Sequence, residues 1–368
     1  MRAADEILDI GPMAGVYGGE VVFQGTHKEL VKANSITADY LTGKRKIPVP
    51  DQRRKQKNAL QFSGVSGSGK STLIKDIVYP AVRNKLGEIS LATQNFETEG
   101  DWKMIKAVEL VDQNPIGKSS RSNPVTYVKA FDEIRELYAK QPLAKARGYK
   151  PGFFSFNVEG GRCEMCEGEG KITVGMQFMA DIHLTCETCN GTRYKAETLE
   201  VEYKGVNISQ MLEMDIESAL AFFKENNGKL EEKIVEKIQP LFDVGLGYLK
   251  LGQSSSTMSG GEAQRIKLAS FLAKGSEVPS TLFIFDEPTT GLHFYDIDKL
   301  IIAFNRLIDT GHSVLVIEHN GEVIKCADWV IDLGPEGGIN GGQIVFTGTP
   351  EDLVKCKESY TGQYLKLK

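Results

Sequence analysis

Short apolar runs and periodic segments alternate along the chain, and this pattern predicts an α/β fold. Continuous apolar runs are typical of strands that are buried on both faces of a sheet. The predicted strands are 59–62, 108–111, 281–285 and 313–317. Apolar residues at helical spacing predict helices over 125–137, 208–223 and 230–242.

The chain has 368 residues, which exceeds one ordinary hydrophobic core and predicts two or three lobes. Hydrophobic residues make up 41% and charged residues 25%, which excludes a largely disordered chain. The first residues are polar and acidic, and no apolar run approaches the ~18 residues needed to span a bilayer. These features predict a cytoplasmic protein. Its net charge of −5 limits any nucleic-acid contact to local basic patches.

Residues 4–32 are repeated near the other end of the chain at a constant offset of 323 positions, as between Asp9 and Asp332. A repeat of this length predicts two similar lobes in tandem, with residues 1–42 as the tail of a preceding lobe. Chance similarity of two hairpins is the alternative. Residues 43–58 are basic and punctuated by proline, which indicates a solvated linker more than a DNA contact.

The most informative motif is a match to the phosphate-loop pattern G-x-x-x-x-G-K-[ST] between a predicted strand and a predicted helix. Its candidate nucleotide-binding residues are Gly64, Val65, Ser66, Gly67, Ser68, Gly69, Lys70, Ser71 and Thr72. Glycines let backbone amides face a phosphate, Lys70 reaches the β- and γ-phosphates, and the Ser71 hydroxyl ligates Mg²⁺. We expect the helix to end before Pro80. A chance glycine-serine turn is the alternative.

Polar residues follow three of the predicted strands. Asp286 can bind Mg²⁺, and Glu287 can polarise a water for attack on the γ-phosphate. Gln113 can ligate Mg²⁺ and orient that water, and His319 can contact the γ-phosphate. Taken alone, Gln113 fits a surface amide and His319 fits a structural histidine.

Ser259, Gly260 and Gly261 precede a helical segment, so that its first amides and the helix dipole face an anion. A plain helix cap is the alternative interpretation of these three residues.

Four cysteines form two C-x-x-C pairs, Cys163 with Cys166 and Cys186 with Cys189, separated by nineteen residues. This spacing predicts a closed, tetrahedral structural Zn²⁺ site. Disulfide pairing is the alternative, which the predicted compartment disfavours.

Lys118 and Arg121 lie in a polar loop that has no acidic residue, which suits contacts to DNA phosphates as well as a plain solvated loop.

These motifs stand in the order found in ABC-type ATPases: Walker A, Q-loop, signature, Walker B with the catalytic glutamate, D-loop and switch histidine. The Cys₄ pair between Walker A and the signature closely resembles the UvrA family of bacterial nucleotide excision repair. The resemblance covers nearly the whole chain, as the C-terminal half plus the tail of the N-terminal half. It implies an α/β, P-loop ABC-type ATPase lobe with a helical signature subdomain and an inserted zinc module.

The implied domains are an ATP-binding core over 59–115 and 258–368 and a signature subdomain over 116–257, with the zinc module at about 160–195. The resemblance also implies ATP, Mg²⁺ and Zn²⁺ as cofactors, with Lys70, Glu287 and His319 as catalytic residues. It implies lesion-containing double-stranded DNA as a partner, contacted by Lys118 and Arg121. A homodimer of the full-length protein, UvrB binding through the missing N-terminal lobe and no membrane contact are further implications.

The sequence departs from the family pattern ahead of the phosphate loop, where the strands and aromatic adenine platform are largely missing. Because ABC sites are composite, we expect the isolated fragment to hydrolyse ATP weakly. Alternatives are a UvrA-like paralogue in drug resistance, a transporter ATPase, a DnaJ-like knuckle module, or a hydrolysis-deficient zinc and DNA-binding fragment.

Overall fold

The computed structural model describes residues 1, 3–15, 18–54, 59–64, 66–88, 104–117, 121–175, 182–226, 228–275 and 278–366. The chain divides into two compact units. The first, here called the core unit, comprises Met1–Gln113 and Lys274–Lys368. The second, the insert unit, comprises Asn114–Ala273. No helix in the described ranges is both long and apolar enough to cross a bilayer.

The strands of the described residues are β1 (Ile7–Gly11), β2 (Glu20–Gly25), β3 (Ala59–Gly64), β4 (Ala107–Val111), β5 (Lys171–Val174), β6 (Ile182–Thr185), β7 (Glu202–Tyr203), β8 (Val206–Asn207), β9 (Thr281–Asp286), β10 (Ser313–Ile317), β11 (Trp329–Gly334) and β12 (Gln343–Gly348). All four strands predicted from apolar runs are present; β10 has the predicted bounds, and β3, β4 and β9 are longer by one or two residues.

The α-helices of the same residues are α1 (His27–Leu30), α2 (Ile36–Thr42), α3 (Lys70–Thr72), α4 (Tyr79–Lys85), α5 (Pro124–Tyr127), α6 (Phe131–Ala139), α7 (Pro142–Ala146), α8 (Ala196–Leu199), α9 (Ile208–Glu213), α10 (Ile216–Glu225), α11 (Lys229–Asp243), α12 (Gly260–Lys274), α13 (Phe294–Asp309), α14 (Gly321–Cys326), α15 (Pro350–Leu353) and α16 (Tyr360–Lys366). A π-helical segment, Leu73–Val78, joins α3 to α4.

The described part of the core unit is built on a six-stranded sheet of order β12-β11-β3-β10-β9-β4. Neighbouring strands are parallel except for the β11–β12 pair. The carboxyl ends of parallel strands meet at one edge, which is where open α/β sheets bind ligands. The apolar core beside the sheet contains Ile74, Val82, Val108, Ile284, Leu315, Ile317 and Leu333.

The prediction that the helix after the phosphate loop ends before Pro80 is wrong. The helical run continues through the π-helical segment into α4, which ends at Lys85. Pro80 lies in the first turn of α4, directly after the π-helical segment. Proline has no N–H to donate to the preceding turn, and the wider π-helical turn accommodates that loss. The side chains of Pro80 and Val82 are buried, so packing supports this continuation.

Two predicted helices are each divided in the structure. Residues 125–137 form α5 and α6, because Lys129 between them adopts a left-handed conformation with φ of 60°. Residues 208–223 form α9 and α10, and the Asp215 side chain caps the second by accepting from the Ser218 amide at 2.8 Å. Local backbone features therefore interrupt a periodicity that the sequence alone presents as continuous.

The predicted repeat is visible as two matching hairpins. β1 pairs with β2 and β11 pairs with β12, and both ladders shift register at the same place, after Asp9 and after Asp332. Thr37 donates to Asp9 as Thr361 donates to Asp332, each at 2.9 Å. The hairpins differ in their neighbours, since β11 also pairs with β3.

The N-terminal segment and the linker contact the rest of the core unit. Thr37 Oγ1 lies 3.2 Å from His293 Nε2, and the Tyr40 ring stacks on Phe294 with centroids 5.7 Å apart. In the linker, Arg54 pairs with the buried Asp328 at 3.2 Å, and Arg53 pairs with Glu351. These two basic residues therefore bind the end of the linker to other parts of the core unit, while Lys44, Arg45 and Lys46 of the same linker are exposed.

Replacing Asp332 with asparagine is expected to destabilise the core unit by about 2 kcal/mol. Its buried carboxylate accepts hydroxyl hydrogen bonds from Ser63, Ser359 and Thr361 at 2.7, 2.6 and 2.9 Å. An amide has only one acceptor oxygen and would leave donors unsatisfied. The urea midpoint of the variant measures the loss.

The matched control is Asp9→Asn, the equivalent position in the other hairpin, where Thr37 is the hydroxyl donor. We expect a loss below about 1 kcal/mol there. Equal losses at the two sites would contradict this account.

Candidate nucleotide and metal sites

The phosphate loop turns sharply because three of its glycines adopt backbone conformations that favour glycine. Gly64, Gly67 and Gly69 have φ of 132°, 76° and 87°. A Cβ on Gly64 would lie 2.0 Å from the Leu333 carbonyl oxygen, so no larger residue fits there. Val65, a predicted member of the loop, lies outside the described residues.

Lys70 begins α3, which ends at Thr72, and its ammonium is folded back into the loop. Its Nζ donates to the Gly64 carbonyl at 3.1 Å and to Ser68 Oγ at 3.4 Å. Burial lowers the pKa of Lys70, and nearby carboxylates, chiefly Glu287, oppose that shift. The cation is therefore close to the acidic residues that follow β9.

The oxygens predicted to hold Mg²⁺ lie close together. Ser71 Oγ donates to Asp286 Oδ1 at 3.4 Å, and the Asp286 carboxylate also pairs with Lys75. Hydroxyl and carboxylate oxygens are the ligands that Mg²⁺ prefers, so these two residues fit the ion. The Gln113 side chain donates to the Glu287 carbonyl at 3.3 Å, which brings the predicted Q-loop residue to the end of β9.

Glu287 has φ of 47°, an uncommon left-handed conformation for a residue other than glycine. Its amide donates to the Ile317 carbonyl at 2.9 Å. Its Oε1 lies 3.2 Å from His319 Nε2, while His319 Nδ1 lies 3.0 Å from the Gly64 carbonyl oxygen. Since both partners are hydrogen-bond acceptors, the ring donates to both only when each nitrogen carries a proton.

Glu318 is an important residue that sequence reasoning missed. It is buried, and one carboxylate oxygen accepts from the Thr289 amide at 2.9 Å and from the Thr289 hydroxyl. The other accepts from the amides of His319 and Asn320 at 2.5 and 2.9 Å. Glu318 thus connects the end of β10 to the turn after Glu287. An acid directly after a continuous apolar strand is the signal that could have identified it.

The predicted signature residues lie in the insert unit, at the start of α12. The Ser259 amide donates to Glu262 Oε2 at 2.7 Å, and the Glu262 amide donates to Ser259 Oγ at 3.3 Å, which is a capping box ahead of Gly260 and Gly261. Tyr248 donates to Glu262 Oε1 at 2.6 Å, and burial raises the Tyr248 pKa. The amides of Ser259 and Glu262 at the start of this helix are therefore bound by side chains of the capping box.

The four predicted metal ligands, also in the insert unit, converge on one point. Cys163 and Cys186 have sulfurs 3.9 Å apart, those of Cys166 and Cys189 are 3.6 Å apart, and all four lie within 4.8 Å of one another. Sulfurs of a tetrahedral zinc site are separated by about 3.8 Å. Burial raises the Cys186 pKa, but the amides of Cys189 and Thr188 outweigh it and bring that pKa to about 7. All four thiols are buried and free of disulfides, so the donor set fits Zn²⁺.

The backbone around these sulfurs is nearly the same in both knuckles. Glu167 and Asn190, each directly after a cysteine, have φ of 48°, and the glycines that follow, Gly168 and Gly191, have φ of 85° and 83°. In the first knuckle the chain beyond this turn brings the Gly170 amide to Cys166 Sγ, to which it donates at 3.3 Å.

Of the two predicted DNA-contacting residues, Lys118 lies outside the described residues. Arg121 lies beside the first knuckle, where its guanidinium pairs with Glu167 at 3.3 Å and Glu169 at 3.7 Å. Sequence reasoning did not anticipate these pairs. Partly exposed ion pairs of this kind contribute about 0–1 kcal/mol to stability.

Comparison with known proteins finds strong similarity along the whole chain. UvrABC system protein A of Clostridium perfringens is 49% identical over 391 aligned positions, and that of Aquifex aeolicus is 50% identical over 398. Both alignments cover 100% of this chain and 41% and 42% of those proteins, so the chain spans about two fifths of the length of these curated relatives. No family model matches the chain.

The fold agrees with this similarity. The crystal structure of UvrA2 from Deinococcus radiodurans superimposes with a TM-score of 0.88 at 40% identity, over 100% of this chain and 46% of that one. Over its whole length the chain is therefore homologous to one part of UvrABC system protein A and has the corresponding ABC-type ATPase fold.

Proposed function

We propose that this chain is the C-terminal ABC lobe of a DNA-damage recognition ATPase of bacterial nucleotide excision repair. In that role it binds and hydrolyses ATP to control the binding of damaged DNA and the loading of UvrB. The observation that carries the proposal is the convergence of Lys70, Ser71, Asp286, Glu287 and His319 at the carboxyl edge of one parallel sheet. The relatives are named UvrABC system protein A, which supports the family resemblance from which the repair role is taken.

Each residue at this edge has a distinct role in the proposed reaction. Lys70 and the loop amides bind the β- and γ-phosphates, and Lys70 counters charge that develops during transfer. Glu287 orients and polarises the attacking water, and His319 holds the Glu287 carboxylate and contacts the γ-phosphate. Mg²⁺, held by Ser71, Asp286 and Gln113, neutralises phosphate charge when bound.

The other partners follow from the same proposal. Ser259, Gly260 and Gly261 contact a nucleotide held by another lobe, so efficient turnover needs the missing lobe or a second copy. Lys118 and Arg121 contact DNA phosphates, and zinc stabilises the knuckles that flank Arg121. UvrB binding belongs to the first lobe, and the full-length protein acts as a homodimer in the cytoplasm. A drug-resistance paralogue is the alternative, distinguished by lack of preference for lesion-containing DNA.

Replacing Glu287 with glutamine is expected to lower kcat for ATP hydrolysis about 100-fold, because the water loses its general base. Nucleotide affinity should change little, since the carboxylate acts on the water. Steady-state phosphate release and equilibrium titration with a fluorescent nucleotide measure the two quantities.

Glu20→Gln, in β2, is the matched control for this substitution. Wild-type turnover by the Glu287 variant would refute the assigned role.

Turnover of the wild-type protein should also rise more than linearly with protein concentration, because the proposed site is completed by a second copy.

Purified protein is expected to contain one Zn²⁺ per chain, and substitution with Co²⁺ should produce the absorption of a tetrahedral thiolate site. Cys186→Ser should abolish this signal and destabilise the knuckles, because three thiolates no longer close the site. The control replaces Cys326 and Cys356 with serine, since both lie outside the cluster. Unchanged cobalt spectra in the Cys186 variant would exclude this ligand set.

Replacing Lys118 or Arg121 with alanine is expected to weaken DNA binding and to reduce the slope of log K against log salt by about 1 for each residue. Glu167→Gln with Glu169→Gln should instead strengthen binding, because the carboxylates no longer compete for Arg121. Lys140→Ala is the control, since Lys140 pairs with Glu136 on α6. Titration of intact and lesion-bearing duplex, with and without ATP, provides the data, and an unchanged salt slope would contradict the proposal.

A further inference from the structure

A second glycine-rich loop lies against the outside of the phosphate loop. It comprises residues 335–342, between β11 and β12, and is here called the glycine loop. The Gly338 amide donates to the Gly67 carbonyl at 3.0 Å, and the Gly342 amide donates to the Ser68 carbonyl at 3.2 Å. Two consecutive carbonyls of the phosphate loop are therefore bound from the side of the glycine loop.

The planarity of the peptide bond gives these contacts a consequence. In a trans peptide, the carbonyl of one residue and the amide of the next point in opposite directions. Binding the carbonyls of Gly67 and Ser68 on one side therefore turns the amides of Ser68 and Gly69 toward the other. That is the direction in which a phosphate loop presents amides to a ligand.

The approach of the two loops is close enough to exclude side chains. A Cβ on Gly337 would lie 2.7 Å from the Ser66 carbonyl oxygen of the phosphate loop, whereas one on Gly341 would first meet the Glu336 carbonyl oxygen of its own loop at 2.6 Å. Gly337 has φ of −93°, which any residue adopts, so its own backbone does not require glycine. Glycine is required at this position because the Ser66 carbonyl of the phosphate loop lies too close for a Cβ.

The internal repeat shows that the conformation of the glycine loop does not depend on its contacts with the phosphate loop. Gly15 and Gly19, the counterparts of Gly338 and Gly342, have φ of 69° and 85°, against 63° and 79°. The N-terminal copy thus keeps this conformation, although its hairpin is a separate two-stranded sheet among the described residues. At the position of Gly337 that copy has Ala14, which is exposed. The loop therefore tolerates alanine there when no phosphate loop lies against it.

We propose that the glycine loop is a brace that positions the phosphate loop for nucleotide binding, with Gly337, Gly338 and Gly342 as positioning residues. The inference rests on the proposed nucleotide-binding function and names the part of the fold that prepares that site. The hairpin β11–β12 carries the brace, whereas its N-terminal counterpart β1–β2 keeps the φ of the matched Gly15 and Gly19 without these contacts.

The test is Gly337→Ala in the full 368-residue chain, with Ile339→Ala as the control. Ile339 lies in the same loop with its side chain fully exposed. Gly337→Ala should weaken binding of a fluorescent ADP–Mg²⁺ analogue about tenfold, since two hydrogen bonds to the phosphate loop are displaced. The melting temperature without nucleotide should stay within about 2 °C of the wild type, because the loop itself accepts alanine. The control should match the wild type in both measurements.

Hydrogen exchange of the amides over 66–72 without nucleotide is the second measurement, and Gly337→Ala should accelerate it. Wild-type affinity in this variant would overturn the proposal. So would an affinity loss accompanied by a fall of many degrees in melting temperature, which would indicate general destabilisation. If the wild type itself binds no nucleotide, the proposed function fails. In that case hydrogen exchange by itself tests the brace. Faster exchange in the Gly337 variant than in the wild type supports the brace, and unchanged exchange refutes it.

Discussion

The carbonyl oxygen of Gly64, at the end of β3, is the atom on which the arrangement of the candidate ATPase site depends. It accepts from Lys70 Nζ at 3.1 Å and lies 3.0 Å from His319 Nδ1, whose other nitrogen lies 3.2 Å from Glu287. A backbone carbonyl offers two lone pairs, and here two predicted site residues, Lys70 and His319, lie within hydrogen-bond distance of it. The cation, the histidine and the acid are thereby connected through a rigid strand end instead of through a loop.

The parallel sheet makes this connection possible. β3, β9 and β10 are adjacent and point the same way, so residues far apart in sequence emerge at one edge. Buried polar residues then set the turns beyond the strand ends. Glu318 holds the segment after Glu287, and Asp332 holds Ser63 just before the phosphate loop. Such buried carboxylates are retained only when their oxygens are satisfied, as these are.

The two hairpins of the repeat show how far local sequence determines conformation. The register shifts agree, and two matched pairs of glycines, Gly15 with Gly338 and Gly19 with Gly342, have φ within 6° of each other. Both hairpins also receive a threonine hydroxyl at the same aspartate. Their surroundings differ, because β11 joins the six-stranded sheet and contacts the phosphate loop through Gly338 and Gly342. The backbone conformation of each hairpin therefore follows from its own sequence. The contacts that each hairpin makes depend on the elements that pack beside it.

By itself the sequence determined four strands of the six-stranded sheet, the phosphate-loop motif and the two cysteine knuckles, because these rest on local patterns, glycine conformations and fixed ligand spacing. It also indicated Asp286, Glu287 and His319 by their position after apolar runs. It did not predict the break at Lys129, the continuation through Pro80, the pairing of Arg121 with Glu167, or the role of Glu318. Each of these depends on a contact or a backbone angle that no periodicity encodes. Only the tertiary structure decided which carbonyls and carboxylates meet, because such contacts join residues up to several hundred positions apart in the chain, as Gly64 and His319 are.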